Sequence, residues 1–170
     1  MWLLLKALYL VSACLAGANT RFDGTTSLDP EIIRLVREGR ALPVCPEQLG
    51  GLTTPRHPAE IADGDGHDVV AGKARVLTCE GQDVTEAFLR GARETLRLAQ
   101  EWHVMGAILK ARSPSCGCLE IYDGSFQGGL RPGAGVAAVL LKEAGLPVFS
   151  EKTWRDNQIS THRPRGESRP

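Results

Sequence analysis

The run Leu8-Tyr9-Leu10-Val11-Ser12-Ala13-Cys14 decides how the rest of the chain is read. It lies inside a longer apolar segment, Trp2 to Gly17, that is open to three readings. As a secretory signal the segment lacks a positively charged start: its one charge, Lys6, comes after Trp2-Leu3-Leu4-Leu5 and interrupts the apolar stretch. Val11-Ser12-Ala13-Cys14 nevertheless resembles the lipobox of a bacterial lipoprotein signal, with Cys14 as the lipid acceptor. As a membrane span the segment falls short of the roughly 20 apolar residues that a bilayer requires. As a strand buried on both faces of a parallel sheet it has the continuous apolar character that such a position demands. The strand reading is adopted. It implies a cytoplasmic protein whose thiols stay free in reducing surroundings.

Working outward from this strand, a polar loop from Ala18 to Leu28 leads to a helix punctuated by Asp29 as N-cap, Pro30 at the first helical position and Gly39 past its end. Ile32, Leu35 and Val36 form its apolar face. Ala41-Leu42-Pro43-Val44 reads as a second strand ending at Cys45. From Pro46 to Gly72 the chain is dense in Gly, Pro and Asp, a loop too long to be idle in a compact domain. Ala74 to Cys79 reads as a strand, Glu80-Gly81-Gln82 as a turn, and Asp83 with Glu86 as a capping-box-like helix start. Phe88, Ala92, Leu96, Ala99 and Trp102 mark one face of that long helix. Val104 to Leu109 is the next strand, followed by the loop Arg112 to Gly117 and a hairpin around Asp123-Gly124. Gly133-Ala134-Gly135 opens a last helix that stops at Gly145, and Leu146 to Phe149 is the final strand. Its glycines recommend this helix start only weakly as an anion site, because the full dinucleotide-binding spacing is missing.

Strands alternating with helices predict a single-domain α/β fold over residues 1–154. Its sheet is mainly parallel and Rossmann-like, with helices on both faces and a small hairpin. Residues 155–170 read as a disordered polar tail. Among the 170 residues, 20 basic and 20 acidic side chains leave zero formal net charge, so a nucleic-acid partner bound through a basic face is not expected. No membrane partner is expected either, and the oligomeric state is not legible. His57, His67, His103 and His162 share no metal-ligand spacing.

The odd count of five cysteines fits a disulfide framework poorly. Cys14 and Cys45 end the first two strands, and Cys116 follows the strand ending at Leu109 by one loop. In a parallel sheet these ends share one edge, so three distant thiols can meet there. Their spacings match neither the paired motif of zinc fingers nor the cysteine run of ferredoxins, which leaves a metal or cluster held by remote ligands. The alternative for any one of them is a small buried hydrophobe. Cys79 is read that way, and Cys118 stands within reach of the same edge.

Several blocks carry a family resemblance. They are Val11-Ser12-Ala13-Cys14-Leu15, Arg21-Phe22-Asp23-Gly24, the stretch from Pro43 through Cys45 and Glu47 to Leu52, and Pro55-Arg56 with Pro58-Ala59-Glu60-Ile61. Ser113-Pro114-Ser115-Cys116-Gly117, Ile121-Tyr122-Asp123-Gly124 and Gly133, Gly135 and Val136 complete the set. In this order the blocks resemble the domain of unknown function 523 family, from about Ala7 to Glu151. The characterised branch of that family is a thiouracil desulfidase with a 4Fe-4S cluster held by three cysteines. The resemblance implies Cys14, Cys45 and Cys116 as the ligands and a thiolated heterocycle such as 2-thiouracil as the small-molecule partner. It also implies Glu47 and Ser113 as acid/base and positioning residues. Two departures stand out: Cys118 replaces a small or polar residue, and the N-terminus is a few residues longer than usual.

The residues themselves are compatible with that chemistry. Three ligands leave a metal position open as a Lewis acid, and a soft iron polarises C=S toward attack by water. A carboxylate beside it could manage the proton. Arg21, Asp23, Arg56 and Glu60 sit in Gly/Pro-rich loops on the same edge, and Arg21, Asp23 and Ser115 are the expected substrate contacts, with structural ion pairs the alternative. Two further readings stay open: a non-catalytic cluster module that contacts a partner, and a sulfur-transfer enzyme, against whose self-sufficient ATP-driven form the missing P-loop argues.

Overall fold

The apolar run at the head of the chain becomes an inner strand. A computed structural model describes residues 7–161. In chain order its elements are β1 (Tyr9–Ser12), α1 (Pro30–Arg37), β2 (Ala41–Val44), α2 (Pro46–Leu49), β3 (Ala59–Ala62), α3 (Gly66–Val70) and β4 (Arg75–Thr78). They continue with α4 (Thr85–Glu101), β5 (Gly106–Leu109), β6 (Glu120–Tyr122), β7 (Leu130–Pro132), α5 (Val136–Glu143), β8 (Val148–Ser150) and α6 (Trp154–Thr161).

The main sheet has the order β2-β1-β5-β8, and each neighbouring pair is parallel. This is the predicted α/β architecture. Side chains alternate across a strand, so the two inner strands serve two cores. Leu10, Ala107 and Leu109 pack with Ala99 of α4 and Ala138, Val139 and Leu141 of α5. Val11 and Ile108 pack on the other face with Ile32 and Leu35 of α1 and with Trp154. Both faces are therefore covered by helices, which is why these strands read as unbroken apolar runs.

Local signals account for several helix ends. Asp29 accepts hydrogen bonds from the N–H groups of Glu31 and Ile32, Pro30 occupies the first turn, and Gly39 takes a positive φ past the end of α1. The Asp83/Glu86 capping box does not form: Val84 is the N-cap of α4, and Asp83, one residue before it, accepts from the Thr85 N–H on its carboxylate. Trp102 lies past the end of α4 and is exposed rather than part of its buried face.

The expected long loop after Pro46 contains α2, β3 and α3. These elements are only four or five residues long, too short for a periodic signal, and tertiary packing stabilises them. β3 pairs antiparallel with β4, burying Ile61 and Val76 against Phe88. Asp65 and Asp68 form a capping box at α3 that sequence reading overlooked. The expected hairpin is β6–β7.

The start of the expected tail belongs to α6, where Arg155 donates to Asp29 at 2.9 Å and Glu31 at 2.6 Å. The remaining tail residues, with His162, and the first six residues, with the start of the apolar segment, lie outside the described residues. Among the described residues no helix is long and apolar enough to cross a membrane.

Candidate functional site

Parallel register puts the ends of the inner strands side by side. Val11 is level with both Pro43 and Ile108, and Ala13 N–H extends the ladder to Val44 C=O at 2.7 Å. Just beyond, Cys14, Cys45 and Cys116 line one cavity of about 430 Å³. Cys14 sits in the turn that closes β1. Cys45 is the N-cap residue of α2, with Pro46 starting the helix behind it.

Cys116 depends on a tightly hydrogen-bonded loop. Ser113 Oγ accepts from the N–H groups of Ser115 and Cys116, each at 3.1 Å, and Ser113 C=O accepts from Gly117 N–H at 2.8 Å. The first N–H groups of α5 also serve this loop. Gly135 donates to Gly117 C=O, Val136 to Pro114 C=O, and Ala137 and Ala138 to Ser115 C=O. That helix start is therefore not an anion site, because the loop carbonyls already take its donors. A Cβ at Gly135 would meet the Ser115 carbonyl carbon at 2.5 Å, so only glycine permits this approach.

The three sulfurs act on one another electrostatically. Burial above all, then the neighbouring Cys45, pushes the Cys14 thiol up to about 11, against the opposing charges of Lys110 and Arg21. The Cys116 thiol is pushed well above its ordinary value by burial, with a lowering hydrogen bond from Ser12 and raising effects from Cys14, Cys45 and Glu47. Unaided, such a pocket disfavours thiolates, and a cationic group seated among the sulfurs would reverse that preference. All five cysteines are free. Among the described residues no three His, Cys, Asp or Glu side chains close on a single metal ion. Three soft donors spread around one cavity suit a larger, sulfur-bridged iron group. Cys118 is buried in the core against α4 and α5 and does not line the cavity, and Cys79 is exposed after β4.

Glu47 and Ser113 line the same cavity. Both carboxylate oxygens of Glu47 are held: Arg56 Nε donates to Oε2 at 2.6 Å, and Ser115 Oγ donates to Oε1 at 3.3 Å. Arg56 is anchored in turn, donating to Thr20 C=O at 3.0 Å, Thr53 C=O at 3.2 Å and Thr54 Oγ1 at 3.0 Å. The pair is largely buried, with side-chain exposures of 9% for Arg56 and 15% for Glu47. Ser115 lies behind Glu47 and outside the cavity lining, where it orients the carboxylate instead of touching a ligand.

The remaining expected contacts divide. Arg21 lines the cavity and donates to Ser27 Oγ at 2.8 Å. Asp23 does not line it: its carboxylate accepts from Thr25 N–H and Oγ1 in an exposed turn, and those bonds hold its carboxyl below the usual range. Glu60 lines the cavity and accepts from Gly124 N–H at 2.9 Å and Phe126 N–H at 3.1 Å, tying the β6–β7 loop to the wall.

Sequence reading missed Ser12 and Lys110, which also line the cavity, and Glu151, which pairs with Lys110. Nothing local marks them. Their one available signal is position at the ends of β1, β5 and β8.

The 2-thiouracil desulfurase family matches residues 9–153. A Bacillus subtilis (strain 168) protein, described as uncharacterized protein YbbK, is 48% identical over 147 residues, covering 86% of this chain and 97% of that one. Among solved structures, the [4Fe-4S]-dependent thiouracil desulfidase TudS (DUF523Vcz) superposes with a TM-score of 0.80 at 40% identity. The match covers 92% of this chain and 98% of that chain.

Proposed function

This chain belongs to the 2-thiouracil desulfurase family, and on that premise we propose that it replaces the sulfur of a thiolated pyrimidine by oxygen using a 4Fe-4S cluster. Cys14, Cys45 and Cys116 are the residues that would hold the cluster. When bound through three thiolates, such a cluster supplies an open iron, a soft Lewis acid for the sulfur of a C=S group. The observation that carries this reading is the arrival of three strand-end thiols and the Glu47 carboxylate on one cavity.

The net reaction, C=S plus H₂O giving C=O plus H₂S, changes no oxidation state. Glu47 is the group that removes a proton from the attacking water, its orientation set by Arg56 and Ser115. Ser113 keeps its hydroxyl proton free while its oxygen accepts from two backbone N–H groups, so it can donate to the substrate. Arg21 supplies a cation at the cavity wall. Ligands that must remain reduced thiols fit a cytosolic enzyme.

Anaerobic reconstitution followed by iron analysis and sulfide release over a panel of thiopyrimidines tests the reading. The expected result is a brown protein with about four irons that releases sulfide, and Glu47→Gln keeps the iron while losing turnover. A colourless protein without iron overturns the proposal. Iron without sulfide release from any thiopyrimidine turns it into a non-catalytic cluster module.

A further inference from the structure

Besides the Glu47–Arg56 pair the cavity carries a second polar network, built from the ends of three adjacent strands. Ser12 at the end of β1 accepts the Lys110 backbone N–H on its Oγ at 2.9 Å. Lys110, just past β5, turns its ammonium onto Glu151 Oε1 at 2.8 Å. Glu151, just past β8, accepts Ala111 N–H on its other oxygen at 2.8 Å. Lys110 lines the cavity with the three cysteines. Side-chain exposures are 27% for Lys110 and 16% for Glu151, so solvent screens this pair less than the Arg21–Asp23 pair, at 36% and 37%.

We infer that Lys110, held in place by Glu151, is the counter-charge of the proposed cluster: a positioning residue whose ammonium stabilises negative charge collected on the three thiolates and their bound group. The inference rests on the function proposed above. Its physical basis is that three thiolates in one partly buried cavity concentrate negative charge, and a fixed cation within that low-dielectric wall offsets it where water cannot. Glu151 fixes the ammonium and also moderates it. A purely structural clamp between β5 and β8 would show the same two bonds, so the test must separate charge from scaffolding.

Opposite-sign variants do so. Lys110→Met removes the positive charge with little change of shape, and Glu151→Gln removes the negative charge while Ala111 N–H keeps an acceptor. In the reconstituted full-length protein, redox titration followed by electron paramagnetic resonance should give a lower midpoint potential for Lys110→Met and a higher one for Glu151→Gln, with the double variant between the two and below wild type, because Lys110 lines the cavity and Glu151 does not. Reduction adds an electron, which a neighbouring cation favours and a neighbouring anion opposes. Lys110→Met should also lose iron to a chelator severalfold faster than wild type. Shifts of the same sign in both single variants, or no shift in either, overturn the counter-charge role while leaving the cluster reading intact. A wild-type protein that takes up no iron overturns both together.

Discussion

The Cys14 thiol is the residue at which burial and charge compete most directly. It is 8% exposed, and burial raises it from the usual 9.0 to about 11. In metal-free protein the folded form therefore keeps a proton that the unfolded chain releases near 9. The resulting stabilisation is complete below pH 9 and is lost as pH rises toward 11, because there the unfolded state binds fewer protons. Its size is about 3 kcal/mol from a shift of about two units, and the raised Cys116 thiol acts in the same direction. Urea unfolding of metal-free protein from pH 8 to 11 should show a falling midpoint, and Cys14→Ser should flatten that fall. An equally steep fall in the variant would assign it to other groups. Glu47 shows the complementary solution, in which a carboxylate stays at the cavity because two side chains, one nine residues on and one 68 residues on, hold both its oxygens.

At the scale of elements, the site depends on backbones that pass unusually close. Gly50 of the turn after α2 and Gly91 of α4 let these helices touch: a Cβ at either would overlap a carbonyl oxygen of the other segment, that of Ala87 or of Pro46. Arg90 then donates from Nη2 at 2.6 Å and Nε at 3.0 Å to Gly50 C=O, so α4 fixes the short helix that carries Cys45 and Glu47 at its start. Gly135 does the same for α5 and the Cys116 loop. Gly135→Ala should lower stability by about 2 kcal/mol through overpacking, with a lower melting temperature and weaker iron retention in the same protein. Unchanged melting and iron content would show that the loop does not need this approach. The sequence marked Gly135 as a helix start but not as a contact, since close approach is a property of two segments and only one of them is visible locally.

For the whole molecule, the parallel sheet gathers residues from across the chain onto one edge, and the cysteines divide accordingly. Cys14→Ser, Cys45→Ser and Cys116→Ser should each lose most iron on anaerobic reconstitution. Cys79→Ser and Cys118→Ala should keep it, because one is exposed elsewhere and the other is packed in the core. Loss of iron in Cys118→Ala with the fold intact would enlarge the ligand set. Because only the folded chain brings the three thiols together, iron-loaded protein should also melt above its metal-free form.

What the sequence by itself determined was whatever is encoded locally or by topology. The continuous apolar run of β1 marked a strand buried on two faces, Asp29-Pro30 and Gly39 bounded α1, and three cysteines at strand ends pointed to one edge of a parallel sheet. Only the tertiary structure decided which side chains meet there. It set Arg56 and Ser115 on the Glu47 carboxylate, joined Lys110 to Glu151, turned Asp23 into its own loop, and built α2, β3 and α3 inside a stretch that reads as loop. The physical reason is range. Caps and apolar periodicity act within a few residues and leave a pattern in the sequence. A salt bridge across the sheet edge, or a four-residue strand stabilised by its partner, exists only once distant segments have packed.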